Sequence, residues 1–170
     1  IMFTILKKPF SLCLSIACLF SANNVLSATV IDVLFVYTQG TAATYGGDPT
    51  TKFNQLVQVT NQIYKDSGVD LEIRLAGTEQ VNYTDDNNDE VALPDIAEAR
   101  VPAFSGIAAK REAVKADMVV LIRPYKAVQA YCGLAYSTKP LSKPHMYSTV
   151  AVNGCPDYVT AHELGHNMGL

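Results

Sequence analysis

Hydrophobic residues fall along this chain in two rhythms. Over residues 29–37 (Thr-Val-Ile-Asp-Val-Leu-Phe-Val-Tyr) they run almost unbroken and favour β-branched and aromatic types. Such a run predicts a strand covered on both faces, hence a central or parallel one. Residues 117–123 repeat the pattern, and residues 147–152 predict a last strand. Residues 69–83 alternate instead: Val69, Leu71, Ile73 and Leu75 point one way, Asp70, Glu72 and Arg74 the other. That is a strand pair, or one long strand with a break at Gly77. Residues 131–136 are short and follow a loop, which suits an edge strand. Between residues 51 and 67 the rhythm changes: Phe53, Leu56, Val57, Val59, Ile63 and Tyr64 are spaced for a helix that stops at Gly68. Residues 91–99 and 107–116 read as two more helices. Residues 39–49 and 139–145 read as loops.

A last helix is expected from Pro156, which suits a first turn because its missing N–H costs nothing there. Asp157 suits the positive helix start. This helix carries the densest chemistry in the chain, His162-Glu163-Leu164-Gly165-His166. Residues four apart share a helix face, so the two imidazoles can grip one zinc ion. Glu163 points about a quarter-turn away and can reach a water on the metal without ligating it. This is the H-E-x-x-H arrangement of zinc hydrolases. Gly169 lies where a helix end commonly needs a left-handed residue. A chain turning there can send back a third ligand, which the longer H-E-x-x-H-x-x-G-x-x-H pattern puts at position 172. The sequence stops at Leu170 and reads as part of a longer coding sequence. With two protein ligands only, the 170-residue chain is expected to be inactive by itself. His145, the remaining histidine, is weighed as a third ligand against a solvated loop residue, and the loop reading is preferred.

The first 28 residues change the setting. Lys7 and Lys8 precede an apolar stretch at 10–20, and Ser27-Ala28 offers a small-residue exit. The pattern is that of a secretory signal peptide, residues 1–28, with the stretch too short to cross a membrane comfortably. An uncleaved anchor or buried helix is the alternative. Without it, residues 29–170 are one domain of ordinary size. Of 13 basic and 16 acidic residues only Lys7 and Lys8 lie in the signal, so the remainder carries 11 against 16, a formal charge of −5. That balance gives no reason to expect nucleic acid or an anionic membrane as partner.

Cys13 and Cys18 leave with the signal, while Cys132 and Cys155 remain. An even count in an exported chain favours a disulfide, closing a loop of roughly 24 residues and contributing about 3 kcal/mol. Metal ligation is the alternative, but neither cysteine has a C-x-x-C partner. Residues 85–90, Asp-Asp-Asn-Asn-Asp-Glu, alternate Asp85, Asn87 and Asp89 like a calcium loop. Glu90 stands where an EF-hand needs glycine, so a solvated loop is the preferred reading and Ca2+ the lesser one.

Residues 161–170, from Ala161 through the two histidines to Gly169 and Leu170, resemble the active-site helix of the metzincin metallopeptidases. Residues 29–170 as a whole resemble a bacterial reprolysin-like (M12B-type) domain. The opening strand 31–38, the strand 116–121, Cys132-Gly133-Leu134-Ala135-Tyr136, and Gly154-Cys155 before the helix fit that resemblance. Bacterial peptidyl-Asp metallopeptidases share this style of sequence. The resemblance implies an α/β (α+β) fold: a twisted mixed sheet, helices packed on it, and zinc in a cleft between subdomains. It implies that His162 and His166 are zinc ligands and Glu163 the catalytic base, with the edge strand near residues 132–136 beside a protein or peptide substrate. The expected function is a secreted zinc metalloendopeptidase. The alternative from another class is a secreted, non-catalytic binding module with an incomplete zinc site.

Overall fold

The computed structural model describes residues 28–137 and 139–170. The expected signal peptide, residues 1–28, therefore lies outside the described residues except for Ala28. Among the described residues five strands form one mixed sheet: β1 (Thr29–Thr38), β2 (Leu71–Val81), β3 (Met118–Pro124), β4 (Gly133–Ala135) and β5 (Tyr147–Val152), in the order β2-β1-β3-β5-β4. The pairs β1–β2, β1–β3 and β3–β5 are parallel, and only β4 runs antiparallel, along β5. The alternating stretch is one strand, not two. Its pairing with β1 slips by one residue between Val33 and Leu34, so Ala76 is the extra residue of a bulge just before Gly77.

The helices are α1 (Gln39–Thr44), α2 (Thr50–Asp66), α3 (Asp89–Ala97), α4 (Ile107–Ala113) and α5 (Val159–Asn167). They cover both faces of the sheet, which is why the central strands are mainly apolar, with Arg123 of β3 a buried exception. Val33 and Phe35 of β1 pack with Val120 and Ile122 of β3 against Phe53, Leu56 and Tyr64 of α2 and Leu164 of α5. The intervening residues Leu34, Val36, Val119 and Leu121 face the opposite way, onto Leu93 and Ile96 of α3 and Ile107 of α4. Each strand thus serves two cores through its period of two. Among the described residues no helix is long and apolar enough to cross a membrane.

Three local expectations need correction. Residues 39–44 form a helix where a loop was expected. Thr38 Oγ1 caps it by accepting from the Thr41 N–H at 3.2 Å, and Thr41 Oγ1 donates to the Ile122 carbonyl on β3 at 2.9 Å. The last helix begins at Val159, not Pro156. Asp157 serves α2 instead of the helix start: it pairs with Lys52 and accepts from Gln55 Nε2 at 2.8 Å, tying the lead-in of α5 to α2. The third correction is the acidic run. Asn88 caps α3 by accepting from the Val91 N–H at 3.0 Å, so Asp89 and Glu90 lie in its first turn. Arg123 Nη2 donates to Asp89 Oδ1 at 2.6 Å, and its Nη1 donates to Asn87 Oδ1 at 2.6 Å and to the Asn87 carbonyl at 3.2 Å. Two of the three alternating side chains therefore face a buried guanidinium. They form neither a calcium loop nor a wholly solvated one.

Candidate active site

Helix α5 packs against β4 and β5 at the antiparallel end of the sheet and against α2 on its other flank. Its residues divide by exposure. Ala161, Glu163, Leu164, Gly165 and Asn167 are buried, whereas His162 is exposed and His166 half-buried. The two imidazole Nε2 atoms stand 3.1 Å apart. Two zinc–nitrogen bonds of about 2.0–2.1 Å at a tetrahedral angle need a nitrogen separation of about 3.4 Å. The side chains thus already converge on one point in the manner a shared ion requires. His166 Nδ1 lies 3.1 Å from the Leu170 carbonyl. Donation to that carbonyl leaves Nε2 with its lone pair free, the usual arrangement behind a metal-binding histidine.

The helix ends in a Schellman turn. The Leu170 N–H donates to the Gly165 carbonyl at 3.0 Å and the Gly169 N–H to the His166 carbonyl at 2.9 Å, while Gly169 has φ of 85°. The left-handed glycine expected there is present. It is this turn that carries the Leu170 carbonyl back to the His166 ring.

Glu163 sits on the buried side, only 4% exposed, with its carboxyl seated on Gly133 of β4. The carboxyl is pushed up to about 7, chiefly by burial, with the nearby His166 ring pulling it down and Asp89 adding to the rise. Such a group can take and return a proton near neutral pH. Cys132 and Cys155 form a disulfide with Cα atoms 5.6 Å apart, fastening the start of β4 to the lead-in of α5.

Other sequence candidates are elsewhere. His145 Nδ1 lies 2.6 Å from Ser142 Oγ, and its ring meets Tyr136 edge-on at 5.3 Å. Among the described residues no third His, Cys, Asp or Glu joins a metal-holding group. Two residues of the site were not legible as such. One is Gly133, whose Cys132-Gly133 context gave the only sequence signal. The other is Asn167, directly after the second histidine, whose Nδ2 lies 3.0 Å from each of the Tyr136, His145 and Tyr147 carbonyls. It pins the ends of the β4–β5 connection to the helix.

The sheet, the paired histidines of α5 and the turn at Gly169 together define a metallopeptidase-type domain. The family model for metallopeptidase family M12B, reprolysin-like, matches residues 27–170, and the chain belongs to that family. A peptidyl-Asp metalloendopeptidase of Stenotrophomonas maltophilia (strain K279a) is 32% identical over 139 residues, covering 80% of this chain and 32% of the relative. One of the same name from Pseudomonas aeruginosa is 26% identical over 179 residues, covering 96% of this chain and 28% of that protein. The chain thus spans about a third of the length of the curated relatives it matches. A chain in a solved structure of a chaperone–substrate complex shares the fold, with a TM-score of 0.70 and 21% identity over 85% of this chain and 26% of that one.

Proposed function

We propose that the protein is a secreted zinc-dependent metalloendopeptidase in which His162 and His166 hold the ion and Glu163 is the general base. The observation that carries this reading is the 3.1 Å approach of the two Nε2 atoms beside a buried glutamate on the same helix. Zinc held there supplies a Lewis acid that lowers the pKa of a bound water toward ~7. The chain's own residues do the rest. Glu163 accepts a proton from the attacking water and returns it to the leaving amine nitrogen. Among the described residues β4 is the last strand of the sheet, and an extended peptide could add main-chain hydrogen bonds along its outer side. Residues of the longer protein supply the remaining ligand. Export rests on the pattern of residues 1–28, with residues 29–170 as the N-terminal part of the catalytic domain.

The test is to express the full-length protein, load it with zinc, and compare wild type with Glu163→Gln on casein. Loss of cleavage with zinc content retained supports the reading, whereas equal cleavage overturns it. Absence of cleavage by the zinc-loaded wild type would favour the non-catalytic binding module. Peptides with and without aspartate are the first specificity probes, because the curated relatives are named for that residue.

A further inference from the structure

We infer that Gly133 is a positioning residue for Glu163: its missing side chain is the slot in which the Glu163 carboxylate lies. For its catalytic consequence this rests on the peptidase reading above. A Cβ built at Gly133 would stand 2.6 Å from Glu163 Oε1, 2.7 Å from Cγ and 2.8 Å from Cδ, inside the 3.0 Å limit that real Cβ contacts respect. Cγ is among the overlapping atoms, so turning the carboxylate alone does not clear the clash and the side chain must swing as a whole. Conformation does not explain the glycine, because its φ lies outside the left-handed region that glycines 154 and 169 occupy. Space does.

The slot is held on two sides. Gly133 pairs with Val150 of β5, and the Cys132 carbonyl accepts from the Ala151 N–H at 2.8 Å. The Cys132–Cys155 disulfide then ties this strand to the segment that launches α5. The wall facing Glu163 and the helix bearing it are thus fastened to each other next to the contact. Any side chain at position 133 would push the carboxylate off its place, since the three atoms nearest to its Cβ all belong to Glu163, whereas the two histidines lie toward the more exposed side of α5.

The experiment is a double-mutant cycle on the full-length protein, read first by thermal unfolding, which needs no activity. Gly133→Ala lowers the unfolding temperature by roughly 5 °C, from overpacking against Glu163. Adding Glu163→Ala, which deletes Cγ, Cδ and Oε1 together, recovers most of that drop. An equal cost of Gly133→Ala with Glu163 and with Ala at 163 overturns the contact. Kinetics on labelled casein form the second arm. Gly133→Ala lowers kcat by about 10²-fold, the effect of misplacing a catalytic group by an ångström, with KM and zinc content unchanged. Wild-type kcat in Gly133→Ala, or a loss confined to KM, overturns the positioning role and leaves the peptidase reading intact. Failure of the peptidase reading itself looks different: Glu163→Gln then cleaves like wild type, and the catalytic half of the inference falls with it.

Discussion

The Arg123 guanidinium and the Asp89 carboxylate meet at 2.6 Å with both residues almost wholly buried. Arg123 is the penultimate residue of the central strand β3 and Asp89 opens α3, so the pair joins the sheet to the helix that covers its second face. Asn87 completes the ring around the guanidinium.

Breaking this pair from one side leaves a buried charge without a partner. Arg123→Met should therefore cost about 3–5 kcal/mol of folding stability, measured by urea unfolding. Replacing Asp89 by Leu in the same chain should return much of that loss, since no stranded carboxylate remains. A cost below about 1 kcal/mol for Arg123→Met would mean that the pair is loosely solvated, as exposed pairs are.

Two phenols, Tyr64 buried and Tyr83 half-buried, bear on the alkaline limit. Burial pushes Tyr64 up to about 12, and Tyr83 reaches about 12 as well, chiefly through burial. In the unfolded chain both lose their proton near pH ~10. Between these values the folded protein keeps protons that the unfolded chain has released, so stability is full below pH ~10 and falls as the pH climbs toward 12. Urea unfolding at rising pH should show that decline. Tyr64→Phe should flatten it, at a cost of about 1 kcal/mol at neutral pH for the hydrogen bond to the Ala161 carbonyl.

These examples mark where the sequence was readable. Strands β1 and β3 were legible because burial on both faces selects mainly Val, Leu, Ile and Phe, and β5 (Tyr-Ser-Thr-Val-Ala-Val) because β-branched and aromatic residues dominate it. The phase of α2, the cysteine pair and the left-handed turn at Gly169 were legible because each depends on near neighbours or a simple count. The acidic run before α3 was not, because Arg123, its partner, is 34 residues from Asp89. Composition announces a charge but not what neutralises it. Helix α1 was hidden for a local reason: Gly40, Thr41, Ala42 and Ala43 show no apolar period, and only the Thr38 cap marks the start. Asp157 was assigned to the nearest helix end, yet Lys52 and Gln55 hold it from α2. In the site, both histidines and Glu163 stand in one motif, whereas the seat of Glu163, Gly133, lies on strand β4, 30 residues earlier in the chain.

Asn167 offers a sharper test of that site's frame. Its Nδ2 faces three carbonyl oxygens at 3.0 Å, from Tyr136, His145 and Tyr147, and the residue is buried. Asn167→Asp keeps the shape and exchanges the donor for a charged acceptor. The carboxylate then meets three oxygens and the negative end of α5, which should cost about 3 kcal/mol at neutral pH. Protonation restores one donor, so the penalty should shrink in acid, opposite to the behaviour of a salt-bridged aspartate. Unfolding measured against pH for the variant and wild type checks both the size and the sign.

The Cys132–Cys155 bond should matter locally as well as globally. It closes a loop with a sequence separation of 23. Replacing both cysteines by serine should therefore cost about 3 kcal/mol by freeing the unfolded chain, which equilibrium unfolding measures. A second effect belongs to the folded state. Strand β4 has only three residues and one neighbour in the sheet, and α5 begins only after the turn at Pro156–Tyr158. Without the bond, each depends on contacts that open easily. Amide exchange should rise at Gly133–Ala135 and at the first turn of α5, while amides of the central strands β1 and β3 exchange only through global unfolding. Exchange that rose equally throughout the sheet would show that the bond acts on the unfolded chain alone. Exchange confined to β4 and the start of α5 would show that it also keeps the strand bearing Gly133 against the helix bearing Glu163.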